Sequence, residues 1–263
     1  MASVKDILNF LETIAPKEMA EDWDHVGLNC GRLEQNVDSV LVALDPFDAV
    51  CKEAVDKKID LLLTHHALIW TPGFITDADV QGRNALLLIE NNIACINAHT
   101  NLDCAPGGVN DILAAKLGLG EIQVINPKGT TAQGQSWGLL RQCILPEQTL
   151  QTFLQNVKDA LGCEGLRYAD AGKPVYRVAV GGGACAGELQ QVIDAGCDTF
   201  VTADVKYNQF WEAKHLGLNL IDAGHFHTEA PVTCYLVQQL AQAFPEISVT
   251  LSDRQGDCTK FFQ

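Results

Sequence analysis

Short, mostly apolar runs that alternate with helical patterns constrain the fold of this chain more than any other feature. These runs occupy residues 40–44, 60–64, 93–98, 175–180, 199–202 and 219–222. Runs of this length between helical segments are typical of strands buried on both faces. Strands that alternate with helices usually form parallel sheets. The sequence therefore predicts an α/β fold.

The two halves of the chain resemble each other. AVDKKIDLLLTHH (54–66) aligns with VIDAGCDTFVTAD (192–204), and upstream VLVALD (40–45) aligns with RVAVGG (177–182). Two copies of a β-α-β-α-β unit are the simplest interpretation. The alternative is coincidence, because any two such units look alike at this level of description.

We accordingly predict two related β-α-β-α-β lobes with mostly parallel strands and a metal site between the lobes. The N-terminal α/β lobe is expected to cover residues 1–125 and the C-terminal α/β lobe residues 126–263, tightly associated and without an inserted domain. Residues 165–174 are expected to form a loop, and VTLS (249–252) is expected to form a closing strand.

Composition narrows the functional classes. Lys and Arg number 18 and Asp and Glu number 33, which gives a net charge of −15. So acidic a chain repels phosphate backbones, which disfavours direct nucleic-acid binding, and it attracts divalent cations. No apolar run approaches the roughly 18 residues of a membrane span. The N-terminus, MASVKDILNFLE, lacks the basic and apolar regions of a signal peptide, so we expect a cytoplasmic protein.

Ten cysteines are present, and no two have the C-x-x-C spacing. Cys95 and Cys143 lie in apolar runs, which is typical of small buried side chains in a reducing compartment. We therefore expect buried thiols rather than a disulfide framework.

Imidazoles and carboxylates follow the predicted strands at their carboxyl ends. The residues at these positions are His65, His66, His99, Asp103, His225 and Glu229. Ligands of open α/β sheets bind outside the carboxyl ends of the strands. Imidazole with carboxylate favours Zn, Fe, Mn or Ni over Ca or Mg, so a transition-metal site is predicted.

The spacing of these residues favours two metal ions over one. His65 and His66 can share a site only where a strand ends and the chain turns. His225 and Glu229 lie one helical turn apart, and Asp103 is available as a bridge. A lone histidine at a strand end usually only forms hydrogen bonds. Five such residues together fit a dinuclear site that activates water.

A family resemblance points the same way. LLLTHHALIW, AHTNLD and DAGHFHTE, with DWDHVGLNCG (22–31), resemble the Nif-three-like family, also labelled GTP cyclohydrolase I type 2 homologues. The resemblance runs from Val4 to past Glu229. It implies two divalent transition-metal ions per subunit and a toroidal homohexamer with its sites facing an inner cavity. The ligands it implies are His65, His66, Asp103, His225 and Glu229.

Some positions depart from the pattern of that family. TADVKYN (202–208) has Ala203 and Asn208 where a glycine and a histidine are usual, so a polar acid or base is missing near the metals. His25 replaces a frequent asparagine. His227 is an additional imidazole beside the predicted site.

Other motifs carry less weight. GQSWG (134–138) has the spacing of a nucleophile elbow, but a strand follows its serine where a helix is required. GGG (181–183) is predicted to be a tight strand–helix turn rather than a phosphate-binding loop. Trp23, Trp70 and Trp211 are expected in the core rather than as base-stacking platforms.

The leading hypothesis is a dinuclear metal-dependent hydrolase that acts on a nucleotide-like substrate, with His99 and Asp24 transferring protons. The alternative is a non-enzymatic protein that handles or delivers metal, or a hexameric scaffold with structural metals. Direct DNA binding is a third and weaker hypothesis.

Overall fold

The computed structural model describes residues 1–71 and 73–262, which form two compact α/β units. Unit 1 contains Met1–Leu102 and Val232–Gly256, and unit 2 contains Asp103–Pro231 and the residues from Asp257 onward.

The strands, in chain order, are β1 (Ala2–Ser3), β2 (Gly27–Cys30), β3 (Asn36–Val37), β4 (Ser39–Ala43), β5 (Leu61–Thr64), β6 (Ala94–Asn97), β7 (Gln123–Ile125), β8 (Gly129–Thr130), β9 (Ser136–Trp137), β10 (Leu140–Gln148), β11 (Arg167–Ala169), β12 (Val175–Val180), β13 (Thr199–Thr202), β14 (Asn219–Asp222) and β15 (Ser248–Leu251). The α-helices are α1 (Val4–Ile14), α2 (Asp48–Asp56), α3 (Val80–Glu90), α4 (Thr100–Cys104), α5 (Val109–Lys116), α6 (Leu150–Leu161), α7 (Leu189–Asp194), α8 (Tyr207–Leu216), α9 (His225–Glu229) and α10 (Pro231–Ala243). Short 3-10 turns cover Lys17–Met19 and Cys185–Glu188.

Unit 1 is organised on a sheet of order β15-β4-β5-β6-β2. The first four strands are parallel, and β2 pairs antiparallel with β6. Every residue of β5 and β6 is buried, because helices cover this sheet. The first helix, α1, begins at a capping box in which Ser3 and Asp6 satisfy each other's backbone N–H groups.

Unit 2 is organised on a sheet of order β11-β14-β13-β12-β10-β7. Its central strands β12, β13 and β14 are parallel, whereas β10, β7 and β11 join antiparallel. Val178 and Val201 belong to a core cluster on one face with Phe153 of α6, and Phe200 belongs to another with Val192 of α7. The sheet is therefore buried on both faces, and the predicted α/β class is confirmed.

A shared detail at two aspartates supports the predicted repeat. Asp60 precedes β5, and its carboxylate accepts from the backbone N–H of Ser39 at 2.9 Å. Asp198 precedes β13, and its carboxylate accepts from the backbone N–H of Arg177 at 2.6 Å. Each aspartate also donates its own N–H to the strand before it and accepts at its C=O from the strand after it. The two β-α-β-α-β segments thus use the same device to set strand register.

The register corrects one part of the repeat alignment. Val40 pairs with Leu61, and Val178 pairs with Thr199. Because Leu61 and Thr199 correspond, Val40 corresponds to Val178 and not to Arg177. The sequence alignment was one residue out here, because the offset set by backbone pairing makes Asp45 correspond to Gly183 and not to Gly182.

The compact units also differ from the predicted lobes 1–125 and 126–263. The closing strand predicted at 249–252 is β15, but it pairs with β4 of unit 1. The buried carboxylate of Glu53 then binds the segment after β15, accepting from Ser252 Oγ at 2.5 Å and from two backbone N–H groups. The C-terminal segment belongs to unit 1 because β15 pairs with β4, although the two strands are far apart in the sequence.

Two further expectations concern the cysteines and the segment 165–174. All ten cysteines are free thiols, and Cys95 and Cys143 are buried as predicted. The segment 165–174 is not entirely a loop, since it contains β11, an edge strand of unit 2. Among the described residues, no helix is both long enough and apolar enough to cross a membrane.

Candidate metal centre

Three imidazoles gather at the carboxyl ends of β5 and β6 in unit 1. The ring of His65 lies 4.9 Å from that of His66 and 5.1 Å from that of His99, and the last two are 5.5 Å apart. One ring nitrogen from each lies within 4.8 Å of the others. His65 and His66 meet because β5 ends at Thr64, as the sequence predicted.

Each of these rings is oriented through its Nδ1 atom. Nδ1 of His65 donates to the carbonyl of Ala98 at 2.8 Å, and a carbonyl can only accept. Nδ1 of His66 faces Oδ1 of Asp45 at 2.7 Å, and Nδ1 of His99 faces Oδ2 of Asp24 at 2.8 Å. With the proton on Nδ1, Nε2 carries the lone pair that a metal ion requires.

Asp24 is held as a carboxylate. Burial raises the pKa of this carboxyl, but hydrogen bonds from His99 and from Thr100 outweigh burial and hold the pKa well below its usual range. Thr100 donates both its hydroxyl at 2.5 Å and its backbone N–H at 3.0 Å. Asp24 therefore stays charged at neutral pH and fixes the orientation of His99.

A second cluster belongs to unit 2. Helix α9 begins at His225, so His225 and Glu229 share one face, and Nε2 of His225 lies 2.9 Å from Oε2 of Glu229. A carboxylate oxygen of Asp103 lies within 4.8 Å of one of Glu229, and both carboxylates are buried. Nδ1 of His225 faces Asp204 at 2.8 Å, which repeats the arrangement seen in unit 1.

Asn110 and the glycine turn support this second cluster. The buried Asn110 side chain donates to the carbonyl of Asp103 at 3.1 Å and accepts from the N–H of Gly182 at 2.7 Å. The N–H of Gly183 donates to Thr228 Oγ1 at 3.0 Å. The N–H groups of this turn thus serve the fold, in line with a strand–helix turn rather than a phosphate-binding loop.

A nearby thiol reports the electrostatic environment of the second cluster. Burial, then the negative charges of Asp103 and Glu229, raise the pKa of the Cys185 thiol well above its usual range. The thiol donates to the carbonyl of Gly182 at 3.1 Å. The negative charges of Asp103 and Glu229 would also attract a cation.

The donor set fits a transition-metal ion. Histidine ligands of metals almost always hold their other ring N–H against a carboxylate or a carbonyl, and four imidazoles here do so. Imidazole and carboxylate donors without a thiolate are suited to Zn, Fe, Mn or Ni. Both clusters therefore contain groups that can hold a metal ion.

The structure places the predicted residues as follows. His65 and His66 lie together in unit 1, and Asp103, His225 and Glu229 belong to unit 2. His99, assigned to proton transfer from sequence, also lies among the imidazoles of unit 1 and is itself a candidate ligand.

Sequence reasoning missed two orienting carboxylates, Asp45 and Asp204. The sequence could have indicated both residues by their position, because each follows a buried strand by two residues. Of the family departures, Ala203 is buried, while Asn208 is exposed on α8. His227 faces Asp257 at 3.5 Å.

The expectation that the tryptophans lie in the core is wrong. Trp23 and Trp211 are each 62% exposed, and Trp70 is 42% exposed. Trp23 and Trp70 both contact the ring of His99, with ring centroids 5.9 Å and 5.1 Å away.

Comparison with known proteins decides the family. A family model described as Duf34/NIF3 (NGG1p interacting factor 3) matches residues 2–257. The chain belongs to this family. The resemblance seen in the histidine motifs is thereby confirmed.

Relatives of this DUF34/NIF3 chain agree in sequence and in fold. It is 35% identical over 231 residues to a Clostridium perfringens protein named GTP cyclohydrolase 1 type 2 homolog, with 87% of each chain covered. A solved Staphylococcus aureus hypothetical protein is similar with a TM-score of 0.90 at 28% identity, covering 99% of both chains. A Bacillus cereus protein related to NIF3 shares the fold with a TM-score of 0.92 at 24% identity, covering 100% of this chain and 99% of the other.

Proposed function

We propose that this protein binds two divalent transition-metal ions and hydrolyses a nucleotide-like substrate. The proposed ligands are His65, His66, Asp103, His225 and Glu229. The observation that carries the proposal is the shared orientation of the imidazoles. Each presents Nδ1 to a fixed acceptor, which prepares Nε2 for a metal. The names of the relatives support a nucleotide-like substrate.

The chemistry follows from what each group supplies. A pair of such ions, when bound, lowers the pKa of water towards 7 and polarises a substrate oxygen. His99 accepts a proton at Nε2, and the charged Asp24 stabilises the resulting imidazolium through Nδ1. The Asp24–His99 pair is therefore the proposed proton-transfer group.

A non-enzymatic role, as a metal-handling protein or as a scaffold with structural metals, is the second candidate function. The burial of the donors favours it, because His65, Asp103 and Glu229 are all at least nine-tenths buried. Structural metal sites are closed by protein, whereas catalytic sites keep an open position.

Metal content tests the first half of the proposal. Emission spectroscopy on protein purified without chelator should report two first-row ions per chain. Glu229→Gln should lose at least one of them, because an amide is a weaker donor than a carboxylate. Glu53→Gln changes another buried glutamate and should keep both. A wild-type protein that takes up no metal on reconstitution would overturn the proposal.

Turnover tests the second half. Stripped and reconstituted protein should hydrolyse GTP or another member of a nucleotide panel, and Asp103→Ala should abolish that hydrolysis. Equal rates for wild type and Asp103→Ala across the panel would exclude hydrolysis of those substrates and favour metal delivery.

We also propose the toroidal homohexamer that the family resemblance implies. Closed symmetry is the usual form of soluble homo-oligomers. Light scattering after size exclusion should give about six times 28.5 kDa. A monomer at micromolar concentration would contradict the proposed hexamer.

A further inference from the structure

Two exposed tryptophans flank the imidazole cluster of unit 1. Trp23 is 62% exposed and Trp70 is 42% exposed, and both lie against His99. Trp70 also lies 6.1 Å from the ring of His66. Tryptophan is highly buried on average, so two indoles with this much exposed surface beside one polar cluster point to a ligand.

The segment that carries Trp23 is anchored on both sides. The N–H of Glu21 donates to Thr100 Oγ1 at 2.9 Å, and Asp24 accepts from the same threonine and from His99. Trp23 stands between these two anchors. Its exposure is therefore set by a fixed backbone.

Trp70 is tied less tightly, through its backbone N–H to Oε1 of Gln81 at 3.3 Å. Its ring nevertheless contacts two of the three clustered imidazoles. The two indoles thus border the same imidazole from two separate segments of unit 1.

The indoles do not stack in parallel on His99. The ring of Trp70 is inclined at 86° to that of His99, and the ring of Trp23 at 70°. Parallel stacking requires small angles, and both pairs are edge-type contacts. Neither indole is stacked in parallel on His99, and both keep exposed surface beside it.

We infer that Trp23 and Trp70 bind the planar heteroaromatic ring of the substrate, a purine or a related nitrogen heterocycle. This rests on the proposed function, since it specifies the substrate of the same site. Stacking on indoles suits such rings because every nucleobase has a π face. A chain with a net charge of −15 gains little from long-range attraction to phosphate, which favours a contribution from ring stacking to the affinity.

Calorimetric titration of the reconstituted protein tests this inference. Guanosine is the probe that lacks phosphate, and inorganic triphosphate is the probe that lacks a base. The variants are Trp23→Ala and Trp70→Ala, and Trp211→Ala is the matched control because it removes an equally exposed indole from α8. Trp23→Phe and Trp70→Phe retain an aromatic face.

Each alanine variant at Trp23 or Trp70 should weaken guanosine binding about 5- to 150-fold, the value of one base–aromatic stack. The phenylalanine variants should retain most of the affinity. Trp211→Ala should bind guanosine like the wild type, and triphosphate binding should be unchanged in all variants. Indole emission of the wild type should fall as guanosine is added.

Three results would overturn the inference. Wild type fails to bind guanosine, or Trp23→Ala and Trp70→Ala bind it as tightly as Trp211→Ala, or their losses are equal for guanosine and triphosphate. Metal content and turnover measured on the same samples separate this outcome from failure of the proposed function. That failure appears as absent metal or absent hydrolysis in the wild type.

Discussion

Gly183 is the position at which one added methyl group would test the second cluster most directly. A Cβ built there would lie 2.0 Å from Oε1 of Glu229 and 3.1 Å from Nε2 of His225. Ordinary contact begins near 3.4 Å, so the Glu229 oxygen would have to move by roughly 1.4 Å. Gly183→Ala therefore perturbs the carboxylate without changing its chemistry.

Gly196 provides the matched control. Gly183 has φ of +62° and Gly196 has φ of +75°, so alanine is strained at either position by about 1–2 kcal/mol. No atom lies within 4 Å of a Cβ at Gly196. Comparison of the two alanine variants therefore separates displacement of Glu229 from the backbone cost.

Urea unfolding and competition with a chelating dye measure the two effects. Gly196→Ala should lower the free energy of unfolding by about 1–2 kcal/mol and keep the metal affinity of the wild type. Gly183→Ala should in addition lower metal affinity about 10- to 100-fold, the usual effect of disturbing the support of a ligand. If the two variants bind metal equally well, the placement of Glu229 against this turn does not matter for binding.

Three further changes are expected to have measurable effects. Asp45→Asn should weaken metal binding about 10- to 100-fold in the same dye assay, because His66 loses its anionic partner, whereas the exposed Asp48→Asn should not. Burial raises the pKa of Glu53, but hydrogen bonds led by that from Lys57 outweigh it and lower the pKa to about 2. Its contribution to stability is therefore present above about pH 4.5 and lost as the pH falls towards 2, so Glu53→Gln should flatten the acid side of a urea stability profile by on the order of 2 kcal/mol. Asn110→Ala leaves three backbone groups without their side-chain partner and should cost about 2–4 kcal/mol in urea unfolding; a loss below 1 kcal/mol would show that water replaces the amide.

The central strands could be predicted because their burial on both faces appears directly as apolar runs. The strand predicted at 175–180 is Val175–Val180 in the structure, and helices follow it as expected. The edge strands Gly27–Cys30, Gln123–Ile125 and Arg167–Ala169 could not be predicted in this way. They are short and half-exposed, and their antiparallel pairing depends on partners distant in sequence.

The positions of the candidate site residues could be predicted from the same strand pattern. Its imidazoles and carboxylates follow buried strands, a position that sequence reveals. The partners Asp45 and Asp204 were missed because an aspartate after a strand is also a common turn residue. Only the fold shows that each faces the Nδ1 atom of a histidine.

The pairing of β15 with β4 has a consequence for the newly made chain. Residues 103–231, the main body of unit 2, are translated before Ser248–Leu251. Throughout that interval β4 presents an open hydrogen-bonding edge, and an open edge can pair with a foreign strand. The sheet whose first strands are synthesised first is therefore the sheet that is completed last, and a chain truncated before residue 248 leaves the β4 edge of unit 1 open.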